Sequence, residues 1–189
     1  MGAEPQRGGR MLLKGQKITL KSIQIDDIEL IRNWRNSKYV SKFFIYREHI
    51  SKEQQKKWFE GVSTSGRDFY FLIIIDHKPI GLTEIKKINW DLREGEGGIF
   101  IGERGYRNSH FAFEAVVLKN DFSFYELNLN KIKAQVLESN KRALRFNKCF
   151  GYKEIGKKEV TMNNQVHSAV LTELTKNDYE SNISKSRLS

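Results

Sequence analysis

The chain of 189 residues is 39% hydrophobic and 12% aromatic, and it carries a net charge of +10. This apolar content excludes an intrinsically disordered protein, and the length predicts one globular domain with a buried core. No apolar run reaches the roughly 18 residues of a membrane span, the single Cys149 excludes a disulfide framework, and no Cys/His cluster has the spacing of metal ligands. We therefore expect a cytoplasmic protein with no metal site and no membrane partner.

The positive charge favours an anionic partner. Residues 131–158 contain nine Lys or Arg residues against two acids, and a polyanionic cofactor would be drawn to such a surface. A solvated lysine-rich face remains the alternative interpretation. Nucleic acid is not favoured, because the basic residues are not interleaved with exposed aromatics or with a recognisable binding motif. Whether the chain forms a homodimer stays open.

The N-terminal third predicts a strand and two helices. Residues 1–10 are small, polar and turn-prone, so we expect a disordered leader or an expression remnant outside the fold. Residues 17–23 alternate like a half-buried strand, and Asp26 is placed to cap the helix that follows. Ser51 begins a second helix, with Gln54 in position for a capping box.

The rest of the chain alternates strands with helices. A turn at residues 76–79 separates two β-prone runs, and a polar C-terminal tail is expected at residues 177–189. The predicted strands are 69–75, 80–89, 97–101, 131–137, 152–162 and 166–174, and the predicted helices are 108–126 and 140–151. This order predicts a single α/β domain at residues 11–176, with a mixed, mostly antiparallel twisted sheet and about four flanking helices.

Two strand-to-helix junctions are candidates for anion binding. The first runs from the strand ending near Gly102 into a helix near Asn108, with Arg107 just before it; the second leads from residue 137 to Asn140, a favourable N-cap residue. Helix N-termini present unpaired N–H groups and a positive dipole end, which suit phosphate, and a guanidinium adds charge-assisted contacts. An ordinary turn with a solvated arginine is the alternative for the first junction.

These segments resemble the GNAT (GCN5-related N-acetyltransferase) superfamily over residues 18–179. The most specific piece is LESNKRALRFNKCFGYKE at residues 137–154, and DIELIRNWRNSKYV at residues 27–40 is similar to the branch of ribosomal-protein, polyamine and nucleotide-sugar enzymes. The resemblance is greatest to the nucleotide-sugar N-acetyltransferases of the pseudaminic-acid pathway. It implies a GNAT fold whose sheet is split around a cofactor cleft, and an N-acetyltransferase that uses acetyl-CoA.

The resemblance also implies a set of cofactor-binding residues. The strand that splays from its neighbour holds the thioester oxygen and the pantetheine arm, and the loop after it holds the pyrophosphate. The implied residues are Ile99, Phe100, Ile101, Arg107, Asn108, Ser109, His110, Phe111, Ala112, Asn140, Phe146 and Asn147. Two of them depart from the family pattern. His110 stands where the family has a glycine, which should narrow the phosphate loop, and Asn147 replaces a tyrosine that protonates the leaving thiolate.

The remaining chemistry requires a base for the acceptor amine. Glu84 is the first choice and Glu96 the second, because both lie on strands that border the implied cleft; His49 lies in the acceptor-side loop. A surface charge is the plain alternative for each. Tyr152, at a position that is usually core phenylalanine in the family, is given little weight as an acid.

The resemblance places the acceptor under the first two helices. The implied acceptor residues are Trp34, Arg35, Phe44, Tyr46 and Trp90, with core packing as the alternative for the aromatic side chains. A flat apolar wall beside cations suits the 4-amino group of a UDP-linked amino sugar. A ribosomal protein, an N-terminal peptide or a polyamine are the alternative acceptors, and a non-catalytic CoA-binding module of the same fold is the alternative from another class.

Overall fold

The computed structural model describes residues 10–107, 110–162 and 164–187. In this part of the chain one sheet contains eight strands: β1 (Leu12–Lys14), β2 (Thr19–Ser22), β3 (Phe69–Ile75), β4 (Lys78–Asn89), β5 (Glu94–Ile101), β6 (Lys131–Leu137), β7 (Lys153–Met162) and β8 (Gln165–Thr175). The described helices are α1 (Ile28–Asn36), α2 (Lys38–Ser41), α3 (Lys52–Ser65), α4 (Phe111–Asp121), α5 (Lys141–Lys148) and α6 (Lys176–Arg187). The single-domain α/β fold is confirmed, with more helices than the four expected. No helix in the described ranges is long and apolar enough to cross a membrane.

The sheet is antiparallel except at one internal pair. Its strand order is β1-β2-β3-β4-β5-β6-β8-β7, and only β5 and β6 run parallel, because α4 connects them as a crossover. Their ladder covers only Glu94–Glu96 against residues 131–133. Beyond it, residues 97–101 and 134–137 diverge, so the predicted split in the sheet is confirmed.

Helices cover both faces of the sheet. On one face α4 and α6 pack over the larger core, which includes Phe71, Ile73, Ile85, Phe122 and Tyr179. On the other face α1, α2 and α3 pack over a smaller core formed by Ile31, Trp34, Val40, Leu72 and Leu82. Leu72 and Ile73 are neighbours on β3 and belong to different cores, as the period of two along a strand requires.

Several element boundaries differ from the predictions for local reasons. The β3–β4 hairpin uses only Asp76 and His77 as its turn, with φ angles of 47° and 64° that match the strand twist, so β4 already begins at Lys78. Asp26 does not cap the first helix. A 3-10 turn precedes α1, and there the backbone N–H of Gln24 donates to the Asp27 carboxylate at 2.8 Å. The Ser51–Gln54 capping box of α3 is confirmed.

The C-terminal segment is more regular than the sequence predicts. Residues 177–189 were expected to be a polar tail, but Lys176–Arg187 form α6, in which Tyr179 is 1% and Ile183 6% exposed. The Tyr179 hydroxyl donates to Asp121 at 2.8 Å, which ties α6 to the end of α4. The expected leader lies, apart from Arg10, outside the described residues.

Candidate active site

A cavity of about 650 Å³ lies at the split between β5 and β6. Its walls are residues 97–101 of β5 and 134–137 of β6, together with parts of α4, α5 and the aromatic segment after α2. Alternate residues of a strand direct their backbone groups toward opposite neighbours, so β5 residues beyond the ladder point some of these groups into the split. The cavity therefore combines backbone hydrogen-bonding groups with side chains from both faces of the sheet.

One end of the cavity is suited to an anion. Arg107, which precedes α4, and Asn140 and Arg142, at the start of α5, all line it. The Asn140 side chain accepts from the backbone N–H of Ala143 at 3.2 Å, which caps α5 as predicted. The Arg142 guanidinium donates to the carbonyl of Arg107 at 2.7 Å, so the two strand-to-helix junctions lie side by side. Positive side chains and helix N-termini therefore converge here.

Aromatic rings hold the Arg107 side chain over the cavity. Its guanidinium carbon lies 4.5 Å from the ring centre of Phe43 and 5.1 Å from that of Tyr39. Both rings come from the α2 region, which lies across the cavity from α5. A planar cation fixed between rings is already oriented, so less side-chain entropy is lost when it binds an anion.

Most of the predicted cofactor residues meet at this cavity. Ile99, Phe100, Ile101, Arg107, Ala112, Asn140, Phe146 and Asn147 line it. Asn108 and Ser109 lie outside the described residues. His110 and Phe111 do not line it: the His110 ring is exposed, lies 3.3 Å from Lys17 Nζ and packs at 4.6 Å on the Phe111 ring. The His110 side chain thus lies toward the β1–β2 connection, and cofactor binding by His110 and Phe111 stays a prediction.

Glu84 lies at the other end of the cavity, where the split closes. It is 6% exposed, and one carboxylate oxygen accepts from Lys86 Nζ at 3.0 Å. The carboxylate packs against Gly98 on the paired strand, in space that a side chain at that position would fill. Glu84 raises the pKa of the Lys86 ammonium, which therefore stays charged beside it. Glu96 also lines the cavity, but it pairs with Lys87 at 2.8 Å and its side chain is 44% exposed. Glu84 is thus the better placed of the two predicted bases.

A second cavity of about 260 Å³ joins the first at Glu84. It lies between α1, α3 and the sheet, and both cavities are lined by Arg35, Tyr46, Glu84, Lys86 and Phe100. Tyr70 lines only the smaller one, and burial raises its pKa to about 12. A molecule in the smaller cavity would therefore reach the closed end of the split directly.

Arg35 is the main unpaired cation in this second cavity. Its guanidinium lies 3.8 Å from the ring centre of Phe44, and its buried Nε has no hydrogen-bond partner among the described residues. Burial lowers the pKa of the guanidinium, and the charge of Glu84 partly offsets that effect. An unsatisfied buried donor is costly, so this group is ready to bind a polar atom that enters the cavity.

Two of the predicted acceptor residues are not at either cavity. Trp34 is 6% exposed, stacks edge-on against Phe100 at 6.2 Å and donates its ring N–H to Glu103 at 3.0 Å, so it is a core residue. Trp90 lies in the β4–β5 turn and is 43% exposed. Arg35, Phe44 and Tyr46 do line the larger cavity, although their roles remain predictions.

The sequence interpretation missed Lys119, and it gave Tyr152 little weight as an acid. Both line the larger cavity, and Lys119 is only 2% exposed. Burial lowers the pKa of Lys119 to about 7, and burial raises the pKa of Tyr152. The signal for Lys119 was present in the helical period, since it follows buried Ala115 by four residues and precedes buried Phe122 by three.

Comparisons with known proteins agree with this arrangement. The family model described as "Acetyltransferase (GNAT) domain" matches residues 17–153. Spermidine N(1)-acetyltransferase of Vibrio cholerae is 25% identical over 141 residues, covering 74% of this chain and 81% of that protein. Acetyltransferase PseH of Campylobacter jejuni is 25% identical over 122 residues, covering 63% of this chain and 72% of that protein. An uncharacterized protein of Methanocaldococcus jannaschii is 26% identical over 145 residues, and the chain spans only 29% of its length.

Among solved structures, the fold is similar to that of spermidine N-acetyltransferase from Vibrio cholerae in complex with CoA and spermine. The TM-score is 0.81, with 22% identity and coverage of 88% of this chain and 99% of that chain. At this identity the likeness supports the fold alone. The family model, in contrast, covers most of the chain, including both strand-to-helix junctions and the cavity between them. The chain therefore belongs to the GNAT family of acetyltransferases.

Proposed function

We propose that the chain transfers the acetyl group of acetyl-CoA to a primary amine that enters through the smaller cavity. We call the smaller cavity the acceptor cavity. One observation carries this proposal: the buried carboxylate of Glu84 lies where the acceptor cavity meets the closed end of the split. A base at that junction can reach an amine from one cavity and an acyl group from the other. Geometry of this kind is the first requirement for general base catalysis.

The residues at the split fit the proposed donor. Arg107, Arg142 and the N-terminus of α5 supply positive charge for the pyrophosphate. The diverging edges of β5 and β6 supply backbone groups for an extended amide-containing arm, and Phe146 adds an apolar wall. When bound, acetyl-CoA supplies a thioester carbonyl that an amine can attack.

Glu84 accepts the proton of the acceptor amine in this proposal. Lys86 holds the carboxylate in place at 3.0 Å, and Gly98 leaves the space that the carboxylate occupies. Glu84 and Gly98 are directly opposite on adjacent strands, so the Glu84 carboxylate occupies the space beside Gly98. This space is on the face of the sheet that carries the acceptor cavity. Asn147 can donate a hydrogen bond near the thioester but cannot act as an acid at neutral pH.

The charge of the acceptor cavity favours an amine that also carries an anionic group. Arg35 and Lys86 supply two positive charges, whereas Glu84 supplies one negative charge. Tyr46 and Phe44 offer rings beside the unpaired Arg35 guanidinium. A nucleotide-linked amino sugar has this combination of an amine, a flat ring and a diphosphate, so the 4-amino group of a UDP-linked sugar is the acceptor that the cavity charge supports.

A polyamine is the second candidate, and the names of the relatives support it better than they support the sugar. Spermidine N(1)-acetyltransferase matches a larger share of this chain, at the same identity, than Acetyltransferase PseH does. A polycation would require carboxylates around the acceptor cavity. Glu84 is the one acid among the residues that line the smaller cavity, and it is already paired with Lys86. Glu96 lines only the larger cavity and is paired with Lys87, and Glu48 accepts from the Tyr46 hydroxyl.

An acceptor panel separates these candidates. Purified protein is given acetyl-CoA with a UDP-linked 4-amino sugar, spermidine or an N-terminal peptide, and the release of free thiol is measured. We expect kcat/KM for the sugar to exceed the others by about tenfold or more, which is roughly 1.4 kcal/mol of transition-state binding. Faster turnover of spermidine would establish the polyamine function and leave acetyl transfer intact. If no amine causes release of thiol, the result would instead favour a non-catalytic binding module.

Arg35 provides the matched test of the acceptor cavity. Arg35→Ala should raise KM for the sugar while the affinity for acetyl-CoA stays unchanged. Lys38→Ala is the control, because Lys38 is an exposed cation on α2 that does not line either cavity. Equal KM values in the two variants would contradict an acceptor role for Arg35.

A further inference from the structure

Lys119 is a buried amine on the wall of the split opposite Glu84. Its Nζ lies 2.9 Å from the point that a Cβ on Gly97 would occupy, and the Tyr152 hydroxyl lies 3.4 Å from the same point. Nζ donates to Asn120 Oδ1 at 2.6 Å. Within residues 10–107, 110–162 and 164–187, Nζ forms no ion pair at 4.0 Å or less. A lysine buried without a carboxylate partner is rarely retained for packing alone.

Lys119 lies at the end of the cavity where the thioester of acetyl-CoA would lie. The pyrophosphate end is fixed by Arg107 and the start of α5, and the split closes at Glu96, where the β5–β6 ladder resumes. Lys119 is eight residues beyond Phe111, which is roughly 12 Å along the axis of α4. A linear donor with its phosphates at the open end therefore extends its thioester toward Gly97 and Lys119.

At this point two adjacent glycines of β5 leave space for two oppositely charged side chains, one on each face of the strand. Gly97 leaves room for the Lys119 amine on the α4 face, and Gly98 leaves room for the Glu84 carboxylate on the acceptor face. The acceptor enters on the Glu84 face, so Lys119 is not the base that receives the amine proton. It faces the same reacting centre from the opposite side.

We infer that Lys119 is the proton donor to the departing CoA thiolate. The inference rests on the proposed acetyl transfer. In the step, the acceptor nitrogen forms a bond to the acyl carbon and its proton passes to the Glu84 carboxylate. The carbon–sulfur bond breaks, and the sulfur takes a proton from Lys119 Nζ to give the free thiol. Glu84 then loses a proton to water and Lys119 regains one, so no net proton is consumed.

The surroundings of Lys119 suit this role better than those of the other polar groups at the cavity. Burial lowers its pKa to about 7, and the charge of Glu84 partly offsets that shift, so both protonation states are populated near neutral pH. The groups around its amine are the Tyr152 hydroxyl from the segment before β7, apolar Ile132 from β6 and Asn120 from its own helix. Glu84 of β4, on the other face of β5, acts on it through its charge. Burial raises the pKa of Tyr152, which makes the phenol a poor acid.

Titration of bound CoA tests the inference without catalysis. The protein is saturated with CoA, and its thiolate is followed by ultraviolet absorbance as the pH is raised, in wild type, Lys119→Met and Lys57→Met. Lys57 is the control because it is an exposed lysine on α3. An ammonium beside the thiolate stabilises the charged pair, so the thiolate should appear at a lower pH in wild type and Lys57→Met than in Lys119→Met. The same thiol pKa in all three proteins would overturn the inference.

Kinetics then distinguish a proton donor from a structural lysine. Lys119→Met should lower kcat by about 10²-fold while binding of acetyl-CoA, measured by calorimetry, is retained. Lys119→Arg keeps the charge but cannot release a proton near neutral pH, so kcat should fall there as well. The loss of wild-type kcat as the pH rises above about 7 should disappear in Lys119→Met, because the group that deprotonates there is absent.

The outcomes distinguish a failure of the role of Lys119 from a failure of the proposed function. Wild-type kcat in either Lys119 variant would overturn the role of Lys119 and leave acetyl transfer intact. A wild-type protein that neither binds CoA nor releases thiol with any amine would overturn the proposed function itself. Melting temperatures of all variants show whether each remains folded. Lys119→Arg keeps the charge, so it should leave the bound thiol acidic and still lose kcat, and an unchanged kcat there would overturn the role of Lys119.

Discussion

Lys119 should make the stability of this protein depend on pH between neutral and alkaline conditions. Its pKa is about 7 in the folded chain, against an ordinary value of 10.5 for an exposed lysine in the unfolded chain. Between these values the unfolded state binds more protons, so stability rises with pH in this window. Below pH 7 both states are protonated, and the folded state then carries the full cost of the buried ammonium.

The magnitude follows from the same two values. One pKa unit corresponds to roughly 1.4 kcal/mol, and the slope reaches this value once Lys119 is mostly neutral in the folded state. Between pH 7 and pH 9 the folded protein should therefore gain roughly 2 kcal/mol from this residue. Lys119→Met cannot gain it, whereas Lys57→Met, which removes an exposed lysine, should behave like wild type.

Urea denaturation at the two pH values measures this effect. The free energy of unfolding of wild type minus that of Lys119→Met should increase by roughly 2 kcal/mol from pH 7 to pH 9. Subtracting the two proteins cancels the titration of the groups they share. If the difference is the same at both pH values, Lys119 is not a buried titrating amine and the physical basis of its proposed role is lost.

The remaining predictions concern the donor site, the base, the proton donor and α6. Arg107→Glu should weaken acetyl-CoA binding by roughly 1.5–3 kcal/mol in calorimetry, whereas Arg67→Glu, at an exposed arginine that lines neither cavity, should not; equal affinities would contradict the phosphate role. Gly98→Ala places a methyl group against the Glu84 carboxylate, so kcat should fall by about tenfold or more with acetyl-CoA affinity retained. Asn147→Tyr should restore much of the turnover lost in Lys119→Met, because it returns an acid to the cavity, and no recovery would count against a limiting proton transfer. Tyr179→Ala should lower the free energy of unfolding by roughly 3–5 kcal/mol in urea, whereas a change below 1 kcal/mol would contradict core packing of α6.

Local signals were sufficient for the elements that surround the site. The strands at residues 69–75 and 131–137 have the predicted bounds, because each is a short β-prone run between turn or cap signals. The caps at Ser51 and Asn140 were also correct, since a cap depends on residues within one helical turn. Of these features, β6 and the N-terminus of α5 lie at the split, and local sequence was enough to place both.

The helical structure of α6 and the direction of several aromatic side chains depend on tertiary contacts, which the sequence does not reveal. The composition of α6 is polar, and Tyr179 and Ile183, spaced four residues apart, pack it on the core. Trp34 and Tyr46 are both aromatic residues near the first helix, yet one is buried under Phe100 and the other lines the acceptor cavity. Side-chain direction at such positions depends on the neighbouring strand, which no local pattern reveals.

Lys119 illustrates the same limit at the site itself. A lysine on the apolar face of a predicted helix is usually explained by its stem packing while the amine reaches solvent. Here Gly97, 22 positions earlier in the chain, provides the space into which the amine points. Only the pairing of α4 with β5 brings the two together, so the sequence contained both residues but not their relation.

The most direct test of the account is the detection of both products of acetyl transfer. Wild type and Glu84→Gln are incubated with acetyl-CoA and the acceptor panel, and the acetylated amine and free CoA are quantified by mass spectrometry. The account predicts equimolar acetylated amine and CoA with wild type, and a loss of about 10²-fold or more in kcat with Glu84→Gln at unchanged acetyl-CoA affinity. Tight binding of acetyl-CoA without acetylation of any amine, or full activity in Glu84→Gln, would contradict it.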